Sequence, residues 1–241
     1  MSAGKKGQID SAKVLVSEVF MNFWFSIPAY QRPYVWGKDE IAELIDDINY
    51  ASEHNSEGQY FLGSMVLRKA ATTVDGVSFE ECEVLDGQQR LSTLYLLLAS
   101  IRDRVNDEKL KAACRGMLYQ DEIEWMNIPG RTRIVYRIRD DVDNFIESFI
   151  KPNGGTQSPD LMEFEKSKIL SLANMAHGLR TIQECFDDKK RFSDGEALGR
   201  FVKYLLNNVL FIYVATEDLD DAFRLFTILN HRGIPLSNSD I

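Results

Sequence analysis

The segment from residue 79 to residue 105 restricts the fold of this chain more than any other part of the sequence. Residues 79–85 predict a strand, and the Asp86-Gly87 pair directly after them predicts a tight turn. Apolar residues then recur at helical spacing over residues 88–105, which predicts a long helix with one buried stripe. A strand that passes through a short polar turn into a helix places the N-terminus of that helix at the edge of a sheet.

The remaining patterns mix strands and helices and predict an α+β fold. Residues 60–68 are apolar on both faces and predict a central strand, which a hairpin turn at Asp75-Gly76 joins to residues 79–85. Residues 11–20 predict a short helix, and residues 151–160 have the composition of a linker. We expect a core over residues 1–105 and a mostly helical region over residues 106–241 that returns one strand and the 226–237 segment to this core.

Composition limits the class of protein. The chain has 241 residues, of which 44% are hydrophobic, and this is enough for a sizeable core. A net charge of −9 argues against a protein that coats nucleic acid, although it leaves room for a local basic site. The three cysteines and three histidines show no zinc spacing. Because the sequence has neither a membrane-length apolar run nor a signal peptide, we predict a cytoplasmic protein without membrane contact.

The turn at residues 86–90 predicts an anion site. A helix N-terminus carries unpaired N–H groups and a partial positive charge, both of which favour phosphate. Gly87 lets a ligand approach the backbone, and Arg90 adds a cation one turn into the helix. Asp86 is suited to hold a metal ion or to orient a water molecule, and Gln88 and Gln89 are neutral donors. The alternative is an ordinary helix cap, in which Asp86 caps the helix and Arg90 is a solvated charge.

A second candidate site is the loop over residues 27–36. Its aromatic side chains alternate with Gln31 and Arg32 in a loop stiffened by two prolines, a surface that can stack a base and grip a phosphate. These aromatic residues are Tyr30, Tyr34 and Trp36. The alternative is a loop whose aromatic rings fill the core, but Arg32 would then be a costly buried charge.

Two further segments are less specific. Residues 226–237 join one helix to the next through Asn230 and His231, a pattern typical of a helix C-terminus. Arginines alternate with apolar residues over positions 131–139, which suits either a nucleic-acid backbone or a solvated face neutralised by acidic neighbours. Those neighbours are Asp140, Asp141 and Asp143.

Four segments, taken in order, closely resemble the N-terminal domain of GmrSD-type modification-dependent restriction enzymes. They are IPAYQRPYVW, YFLGSMVL, VLDGQQRLSTL and FTILNHRGIPLS. The same domain occurs in the SspE group of defence proteins, which sense DNA phosphorothioates. The resemblance runs from about residue 11 to residue 241 and implies a ParB/sulfiredoxin-like small mixed sheet, extended by helices. It also implies that the domain binds and hydrolyses a nucleoside triphosphate with a divalent metal ion, for which magnesium is the first choice.

The resemblance assigns roles to individual residues. The implied catalytic residues are Asp86, Gln89 and Arg90, and Asp86 is also the implied metal ligand. The implied nucleotide-binding residues are Arg32, Gly87, Gln88, Arg90 and Asn230. The implied residues that sense modified DNA are Tyr30, Gln31, Arg32, Tyr34 and Trp36.

Relatives of this type usually carry a second domain with an HNH nuclease centre. The helix-opening pattern from Ser237 to Asp240 lies at the end of the chain, so we expect a piece of a longer protein whose nuclease domain is missing. The expected partners are a nucleoside triphosphate, modified DNA and that nuclease domain, and the oligomeric state stays open, with a homo-oligomer among the states allowed. One alternative is a sensor of modified DNA or nucleotide that does not hydrolyse its ligand. Another is a helical interaction module with inaccessible aromatic residues and a paired Arg32.

Overall fold

A six-stranded mixed sheet forms the centre of the computed structural model, which describes residues 9–74, 76–137 and 141–231. The strands are β1 (Asp10–Leu15), β2 (Phe25–Ile27), β3 (Tyr60–Val74), β4 (Val77–Asp86), β5 (Tyr119–Gln120), β6 (Arg131–Thr132), β7 (Ile134–Tyr136) and β8 (Val209–Thr216). The order across the large sheet is β1-β8-β3-β4-β2-β7, and β5 pairs with β6 in a separate two-stranded sheet. The region after residue 105 thus contributes two strands, β7 and β8, to the large sheet.

Helices pack around this sheet. They are α1 (Val16–Asn22), α2 (Lys38–His54), α3 (Gln88–Arg104), α4 (Glu108–Leu118), α5 (Val142–Phe145), α6 (Leu161–Phe164), α7 (Leu170–Asp187), α8 (Gly195–Asn207) and α9 (Leu219–His231). Helix α3 corresponds to the helix predicted over residues 88–105, and β3 and β4 form the predicted hairpin. The combination of a mixed sheet with many helices confirms the α+β class.

The two faces of the sheet carry separate cores. Met65 and Leu67 of β3 belong to the main core, while Val66 between them belongs to a smaller cluster with Leu85 of β4 and Ala222 of α9. Because successive side chains of a strand point to opposite faces, α9 covers the face away from the main core. Helix α3 lies within the main core and is buried along most of its length, on more sides than its predicted stripe.

The helix predicted over residues 11–20 is wrong for residues 11–15 and confirmed for residues 16–20. Residues Asp10–Leu15 form strand β1 and pair with β8 from Asp10↔Ala215 to Leu15↔Leu210, and helix α1 begins only at Val16. The hydrogen bonds to a strand about 200 residues away determine the local conformation here, and a local pattern carries no information about them.

The linker predicted over residues 151–160 is also wrong. The buried Arg102 donates to the carbonyls of Ile150, Lys151 and Pro152 at 2.7, 3.1 and 2.6 Å. The neighbouring Asp103 accepts from the backbone N–H and the hydroxyl of Thr156, which is 1% exposed. The C-terminal end of α3 thus holds a segment whose Gly, Pro and Asn content is typical of a flexible connection.

Candidate functional site

A cavity of about 560 Å³ lies where the loop after β2, the N-terminus of α3 and one side of α9 meet. Its lining includes residues of both sequence motifs and of α9. These are Tyr30, Gln31, Arg32, Trp36, Leu85, Asp86, Gly87, Gln88, Gln89, Arg90, Phe223 and Phe226. Segments that are far apart in the sequence therefore form one site.

Gly87 makes the sharp change from strand β4 to helix α3. Its φ of +93° is a conformation that side chains rarely adopt, and a Cβ there would lie 2.9 Å from Cγ of Met65. Gly87 is also the N-cap of α3, and no side chain caps this helix. The sequence alternative in which Asp86 caps the helix is therefore wrong. The first turn of α3, whose N–H groups have no intrahelical partner, lines the cavity.

The guanidinium of Arg90 is held against strand β3. It donates to the carbonyls of Leu62 and Ser64 at 3.0 and 2.8 Å, and it lies 4.0 Å from the carboxylate of Asp86. Burial lowers the pKa of Arg90, and the Asp86 charge opposes this shift. Gly63 leaves the necessary space, since a Cβ on residue 63 would lie 1.7 Å from Nη1 of Arg90. Because the side chain is one quarter exposed, part of its positive charge faces the cavity.

Two glutamine side chains hold the aromatic loop against the start of α3. Gln31 donates to the carbonyl of Leu85 at 2.8 Å. Gln88 donates to Oε1 of Gln31 at 3.1 Å and to the carbonyl of Arg32 at 2.9 Å. The amide nitrogen of Gln88, a residue that was expected to bind nucleotide, is therefore used within the protein.

Gln89 makes a second set of contacts with the same loop. Its Oε1 accepts from the backbone N–H groups of Val35 and Trp36 at 2.9 and 3.3 Å, and its Nε2 donates to the carbonyl of Pro33 at 3.0 Å. The side chain is 6% exposed. Both polar atoms of the side chain thus make hydrogen bonds within the protein. This geometry fits a residue that positions the loop better than it fits a residue that contacts a substrate.

The three aromatic residues of the loop have different environments. Tyr30 is 56% exposed, and its ring lies 6.0 Å from that of Phe223 on α9. Trp36 is half-buried at the cavity. Tyr34 is 2% exposed, hydrogen-bonds to the hydroxyl of Thr93 at 2.8 Å, and has a pKa that burial raises. Its ring belongs to the core, so the expected contact between Tyr34 and DNA does not fit this structure.

Arg32 points away from the core. It is exposed at the cavity, and within residues 9–74, 76–137 and 141–231 its side chain has neither a hydrogen bond nor an ion pair. The alternative of a helical interaction module required inaccessible aromatic residues and a paired Arg32. The exposed Tyr30 and the unpaired Arg32 of the described residues do not meet these two conditions.

Comparison with models of protein families shows which family this chain is related to. The model of the GmrSD restriction endonuclease N-terminal domain matches residues 13–241, nearly the whole chain. The chain belongs to this family. The resemblance seen in the sequence is confirmed, and the family associates the chain with a restriction system. None of the curated proteins compared with the chain matches it.

Helix α9 contributes to the pocket of this GmrSD N-terminal domain in a way that the sequence analysis missed. Phe223 and Phe226 line the cavity, and their spacing of three along a helix is the signal that could have identified them. Asn230, which was expected to bind nucleotide, is in the last turn of α9, and its side chain lies outside the described residues. Residues 232–241 lie outside them as well.

The basic segment of this GmrSD domain is largely internal. Arg131 and Arg133 are 8% and 6% exposed, and Arg131 and Arg137 contact the buried carboxylate of Glu81 at 2.8 and 2.7 Å. Burial alone would raise the pKa of Glu81, but hydrogen bonds from the two arginines outweigh burial, so this pKa is lowered. Glu81 thus neutralises Arg131 and Arg137, and it is a partner that the sequence did not indicate. Arg139 and Asp140 lie outside the described residues.

Asp86 is the acidic residue at the pocket of the GmrSD domain. In the part of the chain that the structure describes, no group of three His, Cys, Asp or Glu residues could hold a metal ion by itself. A single carboxylate fits magnesium, because this ion is commonly bound by one or two carboxylates together with phosphate oxygens and water. In the same described part, no helix has the length and apolar character that a membrane span needs.

Proposed function

We propose that this GmrSD N-terminal domain binds a nucleoside triphosphate in the 560 Å³ cavity, hydrolyses it, and so controls a nuclease of the restriction system. One observation carries the proposal: the uncapped start of α3, the unpaired Arg32 and a group of aromatic rings all face the same cavity. The N–H groups and the guanidinium suit a polyphosphate. The exposed rings of Tyr30 and Phe223 suit a nucleobase.

The contacts that each side chain makes within the protein determine the role that it can have at the nucleotide site. Arg32 is free to offset the charge that develops on the phosphates in the transition state. Arg90 adds positive potential from a fixed position, since its nitrogen atoms already donate to β3. Asp86 orients the attacking water or holds magnesium, which would neutralise part of the phosphate charge. Gln88 and Gln89 act as positioning residues, because their hydrogen bonds fix the loop that carries Arg32.

Nucleotide titration and phosphate release test this proposal. A hydrogen bond to a charged group contributes about 1.5–3 kcal/mol, so Arg32→Ala should weaken triphosphate binding by about tenfold or more. Asp86→Asn should lower the rate of phosphate release and leave binding within a few-fold of wild type. Arg200→Ala removes another exposed arginine, outside the cavity lining, and serves as the control.

Each of the four ribonucleoside triphosphates should be tried, with the nuclease assayed in the full restriction system. Absence of binding to all four, or equal binding by the Arg32→Ala and Arg200→Ala variants, would refute the proposal.

A second candidate is a sensor that binds modified DNA or a nucleotide without hydrolysis. The engaged amides of Gln88 and Gln89 favour it, because they are then not available to position an attacking water, and this task falls to Asp86. Tyr30 and Arg32 would contact the DNA, with Trp36 at the edge of the site. Binding without phosphate release, with loss of binding in Arg32→Ala, would support this candidate over the hydrolase.

A further inference from the structure

A cavity of about 250 Å³ lies where the C-terminal end of α1, strand β4 and the connection from β6 to β7 meet. Its lining residues are Asn22, Phe23, Trp24, Glu80, Cys82 and Arg133. None of them lines the proposed nucleotide site, so the two cavities are separate sites.

Arg133 differs from the other buried arginines in its electrostatic balance. Among the described residues, three arginines are less than one tenth exposed: Arg102, Arg131 and Arg133. Arg102 contacts the carboxylate of Asp103 at 2.8 Å, and Arg131 contacts that of Glu81 at 2.8 Å. In the same part of the chain, the contacts of the Arg133 guanidinium are to a carbonyl and an amide, and no carboxylate pairs with it. A buried charge without a counter-charge is costly.

Helix α4 offsets part of this charge. Nε of Arg133 donates at 3.1 Å to the carbonyl of Gly116 in the last turn of α4, and Nη2 donates at 2.9 Å to Oε1 of Gln120. The C-terminal end of a helix carries about half a negative charge, and the Gln120 amide is neutral. Burial lowers the pKa of Arg133, and the charge of Arg131 lowers it further. A net positive charge therefore remains at Arg133.

The free part of this guanidinium can be reached from the cavity. Nη1 of Arg133 has no hydrogen-bond partner among the described residues, and it keeps contact with solvent, whereas Nη1 of Arg131 is closed off. Because Arg133 is 6% exposed and lines the 250 Å³ cavity, a ligand in this cavity is in a position to meet Nη1. A buried guanidinium that is unpaired and faces a cavity indicates an anionic ligand.

Aromatic rings form another part of the wall. Trp24 packs edge-on against Phe79 with ring centroids 4.4 Å apart, and Phe23 stacks on Phe25 at 5.9 Å. These contacts fix two apolar surfaces of the cavity that Arg133 lines. Because the edges of aromatic rings carry partial positive charge and the rings are apolar, they suit an anion that has an organic body.

The remaining groups favour an anion with a single charge. Glu80 lines the cavity, its side chain is 60% exposed, and it lies 4.0 Å from the ammonium group of Lys69. Its carboxylate would repel a dianion about twice as strongly as a monoanion. Cys82 adds no negative charge, because burial raises the pKa of its thiol to about 12.

We propose that this cavity binds the carboxylate of a small organic acid with an apolar body. Nη1 of Arg133 donates to the carboxylate, the exposed amide of Asn22 donates to it from the rim, and the rings of Phe23 and Trp24 contact the apolar body. The ligand thus supplies to Arg133 the negative charge that Glu81 supplies to Arg131.

Three probes with the same ring separate the contributions in an NMR titration of the full chain in a chloride-free buffer. Phenylacetate has a single charge, phenylacetamide is neutral, and phenyl phosphate has a higher charge. We expect phenylacetate to bind most tightly of the three. The indole N–H signal of Trp24 should shift, while Trp36 and Trp125, which lie outside the lining, should keep their signals.

Glu80→Gln is the decisive variant, because it changes an exposed residue and should improve binding, which damage to the fold would not do. It removes a repelling charge and should strengthen phenylacetate binding several-fold, with phenylacetamide binding unchanged. Asn22→Asp adds a charge at the rim and should weaken phenylacetate binding several-fold. Glu122→Gln and Asn207→Asp make the same changes at exposed positions outside the lining and should have no effect. Arg133→Gln should abolish the preference for phenylacetate over phenylacetamide.

Equal binding of phenylacetate and phenylacetamide by the wild type would overturn the proposal, as would the absence of binding by both. Tighter binding of phenyl phosphate than of phenylacetate, or a Glu80→Gln variant without stronger phenylacetate binding, would also contradict it. If the site is supported, a comparison of phenylacetate with acetyl-glycyl-phenylalanine distinguishes a free organic acid from the C-terminal residue of another protein.

Discussion

A side chain on residue 63 and the guanidinium of Arg90 would occupy the same space, since a Cβ on Gly63 would lie 1.7 Å from Nη1 of Arg90. Gly63 also has a φ of +129°, which other residues adopt only with strain. Gly63→Ala should push the guanidinium away from the carbonyls of Leu62 and Ser64. We expect the free energy of unfolding to fall by about 1–3 kcal/mol and nucleotide binding to weaken, as measured by urea unfolding and ligand titration.

Gly199→Ala is the matched control for this change. Gly199 is an exposed residue within α8, and an added Cβ there would have no heavy atom within 4 Å. Alanine favours helix over glycine by about 1 kcal/mol, so this variant should be slightly more stable than wild type. If the two variants behave alike, Gly63 does not position Arg90.

Gln89 should be needed for the attachment of the aromatic loop. Gln89→Leu keeps the size of the side chain but leaves the N–H groups of Val35 and Trp36 and the carbonyl of Pro33 without their partner. A lost partner of a buried group costs about 1–3 kcal/mol, and these groups are only part-buried, so we expect a total loss of about 1–2 kcal/mol in unfolding free energy. The fluorescence of Trp36 should change in the folded state.

Gln157→Leu provides the comparison for Gln89. Gln157 is exposed and donates one hydrogen bond, to the carbonyl of Asp103 at 3.0 Å. This variant should lose less than about 1 kcal/mol. Wild-type stability of Gln89→Leu would show that the loop is held by other contacts.

Substitutions of Tyr34 and Tyr30 should have opposite effects: the first should lower stability, and the second should weaken ligand binding. Tyr34→Phe removes the buried hydrogen bond to Thr93, so we expect a loss of about 1 kcal/mol in stability and unchanged binding of nucleotide and DNA. Tyr30→Leu changes an exposed ring at the cavity, so stability should be kept and ligand binding weakened. Urea unfolding and ligand titration distinguish the two effects. Weakened binding in Tyr34→Phe at unchanged stability would show that Tyr34 takes part in ligand binding.

Glu81 should dominate the acid sensitivity of its part of the sheet. Glu81→Gln removes the charge between Arg131 and Arg137 and leaves the buried Arg131 uncompensated. Removal of one partner of a buried ion pair costs about 3–5 kcal/mol. We expect a loss in this range in urea unfolding at pH 7, and a much smaller loss would show that the pair is effectively solvated.

The effect of Glu81 should depend on pH in a defined direction. Its pKa in the folded protein lies below the usual 4.5, so the unfolded chain binds the proton more tightly than the folded protein does. The stability that Glu81 contributes is present above pH 4.5 and is lost as the pH falls through the lower folded pKa. The difference between wild type and Glu81→Gln should therefore shrink on acidification, and a difference that grows would contradict the lowered pKa.

The strand, turn and helix around Gly87 could be predicted because short-range patterns determine them. The roles of Gln88 and Gln89 could not be predicted. The sequence shows that an amide side chain can donate and accept hydrogen bonds, but it does not show which groups will be its partners. Both amides hold the backbone of the loop over residues 28–36, more than 50 positions earlier in the chain. The sequence thus identified the pocket and left its internal hydrogen bonds undetermined.

Burial of charge was harder to predict for a related reason. Arg131 and Arg133 belong to an alternating segment of the kind found on a solvated strand, yet both are buried. Their partners come from elsewhere in the chain: Glu81 for Arg131, and the Gly116 carbonyl with the Gln120 amide for Arg133. A single sequence does not show such pairs, and the same applies to Phe223, which reaches the pocket through the packing of α9.

Strand β8 lies between β1 and β3, and it pairs Asp10 with Ala215. A ribosome that adds about 5–20 residues per second needs about 10–40 s to make the intervening chain. From the synthesis of β3 until β8 is made, one edge of β3 has no partner strand, and an unpaired apolar edge is prone to aggregation. Sheet closure with such high contact order is also slow, so we expect the yield of native protein to rise with chaperone supply or with faster completion of the chain.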